Sequence, residues 1–314
     1  MNGKKTIINN NIFMKKPIKI IKINHLIKFK SIKQIKKRKE KFIKLIIIFL
    51  LIIIFLLFNI SFIDYLNIYI ITHKDFKNEI INPYYTIICD NKAQLKNKYS
   101  IKIIETYKNN ELYSKKRGYC EGSKIYYIWK KYKHNIIASK YVGFIHYRRF
   151  FNFTNNIPNL DGIFTEYDAI INKKITLKKS MKTHFAHCHF RKFLDEIVEI
   201  IKENFTEYYP QSKISLNGNF LNCCNIFIMK KNDFIKYGEF VFGVLLEFDR
   251  KHNLKNDKDI KNLIVSEIKR TKKKTRVDYQ CRQEGFILER ISSIFYDYKF
   301  KKRFEIPLQI PKIY

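Results

Sequence analysis

An unbroken apolar run over residues 45–63 constrains the fold of this chain more than any other feature. Only Asn59 and Ser61 are polar in it, so it lacks the polar stripe that a helix of a globular protein usually carries. At about 1.5 Å per residue, a helix over this run would be roughly 28 Å long, which is close to the hydrocarbon thickness of a bilayer. The run therefore predicts an uncleaved signal anchor that crosses a lipid bilayer once.

The charges on either side predict how such an anchor would be oriented. Residues 1–44 hold fifteen Lys and Arg against a single acid, whereas acids and bases nearly balance just after the run. Under the positive-inside rule, we expect a single-pass type II membrane protein with a basic cytosolic tail and one domain over residues 64–314. The anchor and two N-glycosylation sequons, at Asn152 and Asn204, favour a Golgi membrane, with a bacterial plasma membrane as the alternative.

After the apolar run, short apolar segments alternate with helical patterns. Strands are predicted at 66–71, 85–89, 141–145 and 225–229, and helices at 118–133, 193–205, 233–248 and 279–295. A stretch rich in Lys, Asn and Asp over 251–274 is expected to be a solvated insertion. This alternation is typical of an α/β domain with a mostly parallel sheet, in which ligands bind at the carboxyl ends of the strands.

The net charge of +34 would, by itself, suggest a nucleic acid or an anionic membrane surface as the partner. The Lys residues are spread along the chain and are not gathered in one motif, so we interpret them as solvated positions in a biased composition. No nucleic-acid partner is therefore expected, and the sequence gives no indication of the oligomeric state.

The segment from His146 to Arg149 follows a predicted buried strand directly. Two adjacent arginines at a strand end are costly to desolvate unless an anion pairs with them. The planar guanidinium suits phosphate, so a ligand that carries a diphosphate is one partner. A structural ion pair with an acid such as Glu121 or Glu289 is the other, and the residues alone leave the two open.

Five segments occur in order along nearly all of the chain after residue 65. They are Thr72-His73-Lys74, Glu121 with Trp129-Lys130, Gly143 with His146 to Phe151, Asn225 with Phe227 to Lys231, and Tyr279-Gln280 with Arg282, Gly285-Phe286 and Glu289-Arg290. In these segments the chain resembles the family called domain of unknown function 4422, which is regarded as glycosyltransferase-like and occurs in capsular-polysaccharide and lipopolysaccharide gene clusters. The resemblance implies a GT-A-like domain that binds a nucleotide-sugar donor and a glycan or lipid-linked acceptor.

Under this resemblance, the expected function is the transfer of a hexose-type unit by a membrane-anchored glycosyltransferase. An inverting transferase needs a carboxylate to deprotonate the acceptor hydroxyl, and the candidates are Glu289, then Glu121 and Asp90. The residues expected to bind the donor are Thr72, His73, His146, Tyr147, Arg148, Arg149, Asn225 and Arg282. A non-catalytic carbohydrate-binding or scaffold protein with the same fold is the alternative, and the absence of a carboxylate near the cleft would favour it.

The sequence leaves the need for a divalent metal open. The only literal Asp-x-Asp match, Asp257-Lys258-Asp259, lies in the Lys-rich stretch and not at a strand end. A metal-independent site, in which Arg148 and Arg149 neutralise the leaving diphosphate, is therefore one hypothesis, and a site with a divalent metal is the other.

Two further features concern zinc and disulfides. His184, His187, Cys188 and His189 form a compact cluster that could bind zinc, but their spacing matches no standard motif. An acceptor-binding or ordinary polar surface is the preferred interpretation of this cluster. The six cysteines show no C-x-x-C spacing, and the sequence does not pair them.

Overall fold

The computed structural model describes residues 36–54, 65–76, 84–97, 99–151 and 159–309. The chain divides into two compact units, Met1–Ser61 and Phe62–Tyr314. In the first unit, residues 36–54 form one helix, α1.

Helix α1 includes the beginning of the predicted membrane anchor, of which residues 55–63 lie outside the described part of the chain. The first half of α1 is rich in Lys, so only residues 45–54 of it are continuously apolar. None of the helices among the described residues is both long and apolar enough to cross a membrane. The prediction of a single-pass type II protein in a Golgi or bacterial plasma membrane, with one transmembrane helix before the domain, is therefore wrong.

The second unit is built around β-strands. In chain order these are β1 (Leu66–Ile71), β2 (Tyr85–Cys89), β3 (Lys102–Glu105), β4 (Tyr141–His146), β5 (Phe150–Phe151), β6 (Ala169–Asn172), β7 (Ile175–Thr176), β8 (Phe220–Leu221), β9 (Phe227–Lys230), β10 (Arg303–Ile306) and β11 (Leu308–Gln309). Seven of them form one sheet in the order β10-β6-β9-β4-β1-β2-β3, and β5 with β11 and β7 with β8 form two small antiparallel pairs.

The large sheet is mostly parallel, which confirms the predicted α/β class. Strand β1 runs parallel to β2 and β4, β2 to β3, and β6 to β10, whereas β9 is antiparallel to both of its neighbours. Ile71, the last residue of β1, pairs with Ile88 on one side and with His146 on the other. The carboxyl ends of β1, β2 and β4 therefore lie side by side at one edge of the sheet.

Helices connect and cover these strands. They are α2 (Lys116–Tyr119), α3 (Gly122–Lys133), α4 (Leu160–Glu166), α5 (Met181–Cys188), α6 (Arg191–Asn204), α7 (Tyr209–Asn217), α8 (Lys231–Lys251), α9 (Asp257–Thr271), α10 (Val277–Gln280) and α11 (Gln283–Lys299), with 3-10 turns at Lys92–Gln94, Tyr113–Lys115 and Thr206–Tyr208. Apolar cores lie on both faces of the sheet, because successive side chains of a strand point to opposite faces.

The Lys-rich stretch over 251–274 is mainly helix α9 and not the solvated insertion that the sequence suggested. Asn256 and Asp259 form a capping box, in which each side chain accepts a hydrogen bond from the backbone N–H of the other residue. Ile260 and Ile264 are buried, so the helix packs against the domain through an apolar stripe that the surrounding lysines obscure. The Asp-x-Asp match therefore lies in the first turn of a helix.

Candidate functional site

Residues that follow β1, β2 and β4 lie close together at the carboxyl edge of the sheet. Thr72 is fully buried, and its backbone N–H donates to Ile88 at 3.1 Å. The backbone N–H of Tyr147 likewise donates to Ile71 at 3.1 Å. Nε2 of His73 lies 3.3 Å from the Tyr147 hydroxyl, and the two rings meet edge to face. The structure therefore brings together the predicted residues of two separate strands.

The segment from His146 to Arg149 is a tight turn. His146 and Arg149 exchange backbone hydrogen bonds of 2.9 Å in both directions, as in a short hairpin. This geometry buries Tyr147 and leaves the side chains of Arg148 and Arg149 exposed. The Arg148 guanidinium stacks over the Tyr147 ring, 5.1 Å from its centroid.

Arg148, Arg149 and Arg282 are exposed arginines that bring three positive charges to this edge. Within the described ranges, none of the three forms an ion pair. Burial first, then the charges of Arg148 and Arg149, with smaller effects of His73 and Arg282, lower the pKa of His146 to about 3. The edge is therefore strongly cationic and includes a neutral imidazole.

Two carboxyl groups lie beside this edge and are held by consecutive residues. Glu289 accepts a hydrogen bond from the backbone N–H of Cys224 at 2.9 Å and another from Nη1 of buried Arg290 at 2.9 Å. Glu121 accepts from Nδ2 of Asn225 at 3.4 Å. Burial, together with the charge of Glu289, raises the pKa of Glu121 above its usual range. A raised pKa makes a carboxylate a stronger proton acceptor near neutral pH.

Asp90 has a different environment from the two glutamates. Its carboxylate is almost completely buried, with Nζ of buried Lys124 2.8 Å away. Buried ion pairs of this kind leave little freedom for a carboxylate to reach a substrate. We therefore interpret Asp90 as a group that fixes Lys124 beneath the strand ends.

The residues of the His/Cys cluster over 184–189 have different surroundings. His189 is buried, hydrogen-bonds Gln280 at 3.2 Å and stacks on Phe286 at 3.9 Å, whereas His187 is exposed. His184 lies 3.5 Å from a nitrogen of Arg290. In the part of the chain that the structure describes, no three His, Cys, Asp or Glu side chains are arranged to hold a metal ion. The metal requirement of the protein stays a prediction.

The structure describes one of the two asparagines of the N-glycosylation sequons. Asn204 is the last residue of α6. Asn152 lies outside the described residues. Glycosylation of either residue stays a prediction.

Sequence reasoning missed three side chains that shape the site, namely Lys124, Cys120 and Cys224. Lys124 lies in α3 and pairs with Asp90, 34 residues earlier in the chain, so no local spacing indicated its role. Nothing in the sequence pointed to the cysteines, which are free thiols that accept hydrogen bonds from Arg282 and Arg149.

Comparisons with known proteins agree with this fold. The model of a family described as a domain of unknown function (DUF4422) matches residues 67–266. Among solved structures, the chain is similar to the apo structure of the bifunctional glycosyltransferase WbbM, with a TM-score of 0.59 and 19% sequence identity. The match covers 78% of this chain and 45% of that one, so the chain spans less than half of the length of WbbM. No curated protein matches the chain.

Proposed function

The chain belongs to the family described as domain of unknown function 4422, and we propose that it is a glycosyltransferase. In this proposal it moves a sugar from a nucleotide-sugar donor to a glycan or lipid-linked acceptor. The fold that it shares with WbbM supports the proposal at the level of architecture. The observation that carries it is the cationic edge formed by Arg148, Arg149 and Arg282.

The three arginines suit the diphosphate of a nucleotide sugar. They come from two segments far apart in sequence, yet all of them influence the same imidazole of His146. Negative charge builds up on the diphosphate as the bond to the sugar breaks, and fixed guanidinium groups stabilise that charge. We infer that they do this without requiring a metal ion, while Thr72, His73 and Tyr147 shape the adjoining wall of the site.

The two glutamates are the candidates to accept the proton of the acceptor hydroxyl. The acceptor oxygen bonds to the anomeric carbon, the bond from that carbon to the diphosphate breaks, and the hydroxyl proton passes to a carboxylate. We assign that role to Glu121, because its pKa is raised and the hydrogen bond that it accepts from Asn225 is long at 3.4 Å. Glu289, which Cys224 and Arg290 hold, is the second candidate.

A donor screen tests the proposal. The full-length chain is incubated with a panel of nucleotide sugars and an acceptor-glycan mixture, with Mn²⁺ or with EDTA, and free nucleoside diphosphate is measured. We expect release from one donor, unchanged by EDTA, and a loss of about 100-fold in kcat/KM for Arg148→Ala. Arg250→Ala is the matched control, since this exposed arginine pairs with Glu247 on helix α8.

The alternative is a carbohydrate-binding or scaffold protein with the same fold. It predicts no release from any donor and no thermal stabilisation by a nucleotide sugar. That pair of results would reject the transferase proposal.

A further inference from the structure

Arg149 and Arg282 are each held by a cysteine sulfur. Nη1 of Arg149 donates to Sγ of Cys224 at 3.0 Å, and Nε of Arg282 donates to Sγ of Cys120 at 3.1 Å. The two arginines come from different segments, the turn after β4 and the residue before α11. The same unusual contact therefore occurs twice at one edge of the sheet.

A thiol has a particular advantage as the partner of an arginine that must bind an anion. Sulfur is a weak acceptor, so it orients the guanidinium without neutralising it, whereas a carboxylate would compete with the phosphate. Burial raises the pKa of Cys120 to about 12. A hydrogen bond with Cys223, together with burial, raises the pKa of Cys224. Both sulfurs are therefore neutral near pH 7, and each arginine keeps its full charge.

The backbone at both cysteines is unusual as well. Cys120 has a φ of 52° and Cys224 a φ of 73°, values that residues with a Cβ rarely adopt. Such conformations persist where the surrounding structure requires them, and they concentrate at functional sites. Here they bring the sulfurs into contact with arginines that lie 162 and 75 residues away in sequence.

We propose that Cys120 and Cys224 are positioning residues that preset Arg282 and Arg149 to bind the diphosphate of the donor. This inference rests on the proposed function. A long arginine side chain loses considerable rotamer freedom when it grips a ligand. A neutral hydrogen bond that restricts it beforehand reduces that loss and tightens binding.

The test compares serine with alanine at each cysteine in the full-length chain, and it uses inorganic pyrophosphate as the probe in calorimetric titrations. Serine retains an acceptor atom and alanine does not, while both keep a Cβ, so effects of the backbone conformation cancel in the comparison. We expect Cys120→Ala and Cys224→Ala each to weaken pyrophosphate binding about five-fold, and the serine variants to stay within about two-fold of the wild type. Cys188→Ala, which removes a thiol beside His184, is the control and should bind as the wild type does.

Kinetics separate positioning from a merely structural role. With the donor found in the screen, the alanine variants should raise KM and leave kcat within about two-fold, because preset arginines act on binding. Alanine variants that bind pyrophosphate like the wild type, or a wild type that does not bind it, would overturn the inference. If the wild type and its variants bind pyrophosphate as expected but no donor is turned over, the proposed function fails while the positioning role stands.

Discussion

The backbone N–H of Cys224 donates a hydrogen bond to the carboxylate of Glu289, with 2.9 Å between N and Oε1. The next residue, Asn225, donates from its side chain to Glu121. Cys224 and Asn225 both have positive φ values, 73° and 50°, so one short bend before β9 holds the two carboxyl groups. The surroundings of the two glutamates differ. Glu289 also accepts a hydrogen bond from the charged guanidinium of Arg290, whereas Glu121 is desolvated and lies within reach of the charge of Glu289. Two carboxyl groups in such different environments are suited to different catalytic roles.

The first prediction concerns stability. Glu289→Gln should lower the free energy of unfolding by about 1–3 kcal/mol, because it leaves the buried guanidinium of Arg290 without its counter-charge. Glu199→Gln makes the same chemical change in an exposed pair with Lys202 and should cost less than about 0.5 kcal/mol. Urea unfolding followed by circular dichroism measures both, and equal losses would contradict a special dependence of Arg290 on Glu289.

The second prediction concerns the contact between α3 and α8. A Cβ at Gly238 would lie 2.0 Å from Cδ1 of Trp129, whose ring is also fixed by a hydrogen bond from Nε1 to Ile235. Gly238→Ala should therefore lower the free energy of unfolding by about 2 kcal/mol or more, since the ring cannot shift without breaking that bond. At Gly218 the nearest atom to an added Cβ is 3.3 Å away, so Gly218→Ala should have the smaller effect in the same urea titration. A loss at Gly218 as large as that at Gly238 would count against this explanation.

The sheet could be predicted where strands are buried on both faces. Residues 66–71 and 85–89 were predicted with the bounds that the structure has, because mainly apolar runs end at polar residues there. Strand β3, with the sequence KIIE, is short and only half-buried, so its pattern was too weak to detect. The helix predicted over 118–133 is divided at Cys120. The backbone of this residue has a positive φ, which a cysteine in the sequence does not predict.

The site shows the same limit. Adjacent parallel strands end at the same edge of a sheet, so the ends of β1 and β4 bring His73 and the segment from His146 to Arg149 to one edge, whereas their binding of a donor stays a prediction. The contact between Arg282 and Cys120 joins residues 162 positions apart and depends on how α11 packs, which periodicity does not encode. The prediction of a membrane anchor was wrong, because none of the helices in the described ranges is long and apolar enough to cross a membrane.

The third prediction concerns pH. The pKa of buried His189 is lowered to about 3, by burial first and then by Arg290, against an ordinary value of 6.5. His189 therefore binds fewer protons in the folded state than in the unfolded state. The stability that neutral His189 contributes is present above pH 6.5 and is lost as the pH falls toward 3. His189→Gln should reduce the slope of unfolding free energy against pH below 6 by up to about 1.4 kcal/mol per unit. Urea titrations at pH 4.5 to 7.5 measure it, and a variant with the slope of the wild type would contradict the prediction.

The last prediction identifies the proton acceptor. If it is Glu121, kcat/KM for the donor is maintained above the raised pKa of this residue and falls as the pH drops through it, and Glu121→Gln lowers kcat by about 10²-fold or more. The charge of Glu289 contributes to that raised pKa, so Glu289→Gln should shift the acidic limb of the pH profile to lower pH while activity is kept. Glu199→Gln, remote from the site, should leave the limb in place. An inactive Glu289→Gln protein that is still folded, together with an active Glu121→Gln protein, would assign the role to Glu289, because only the carboxylate that takes the proton is indispensable at every pH.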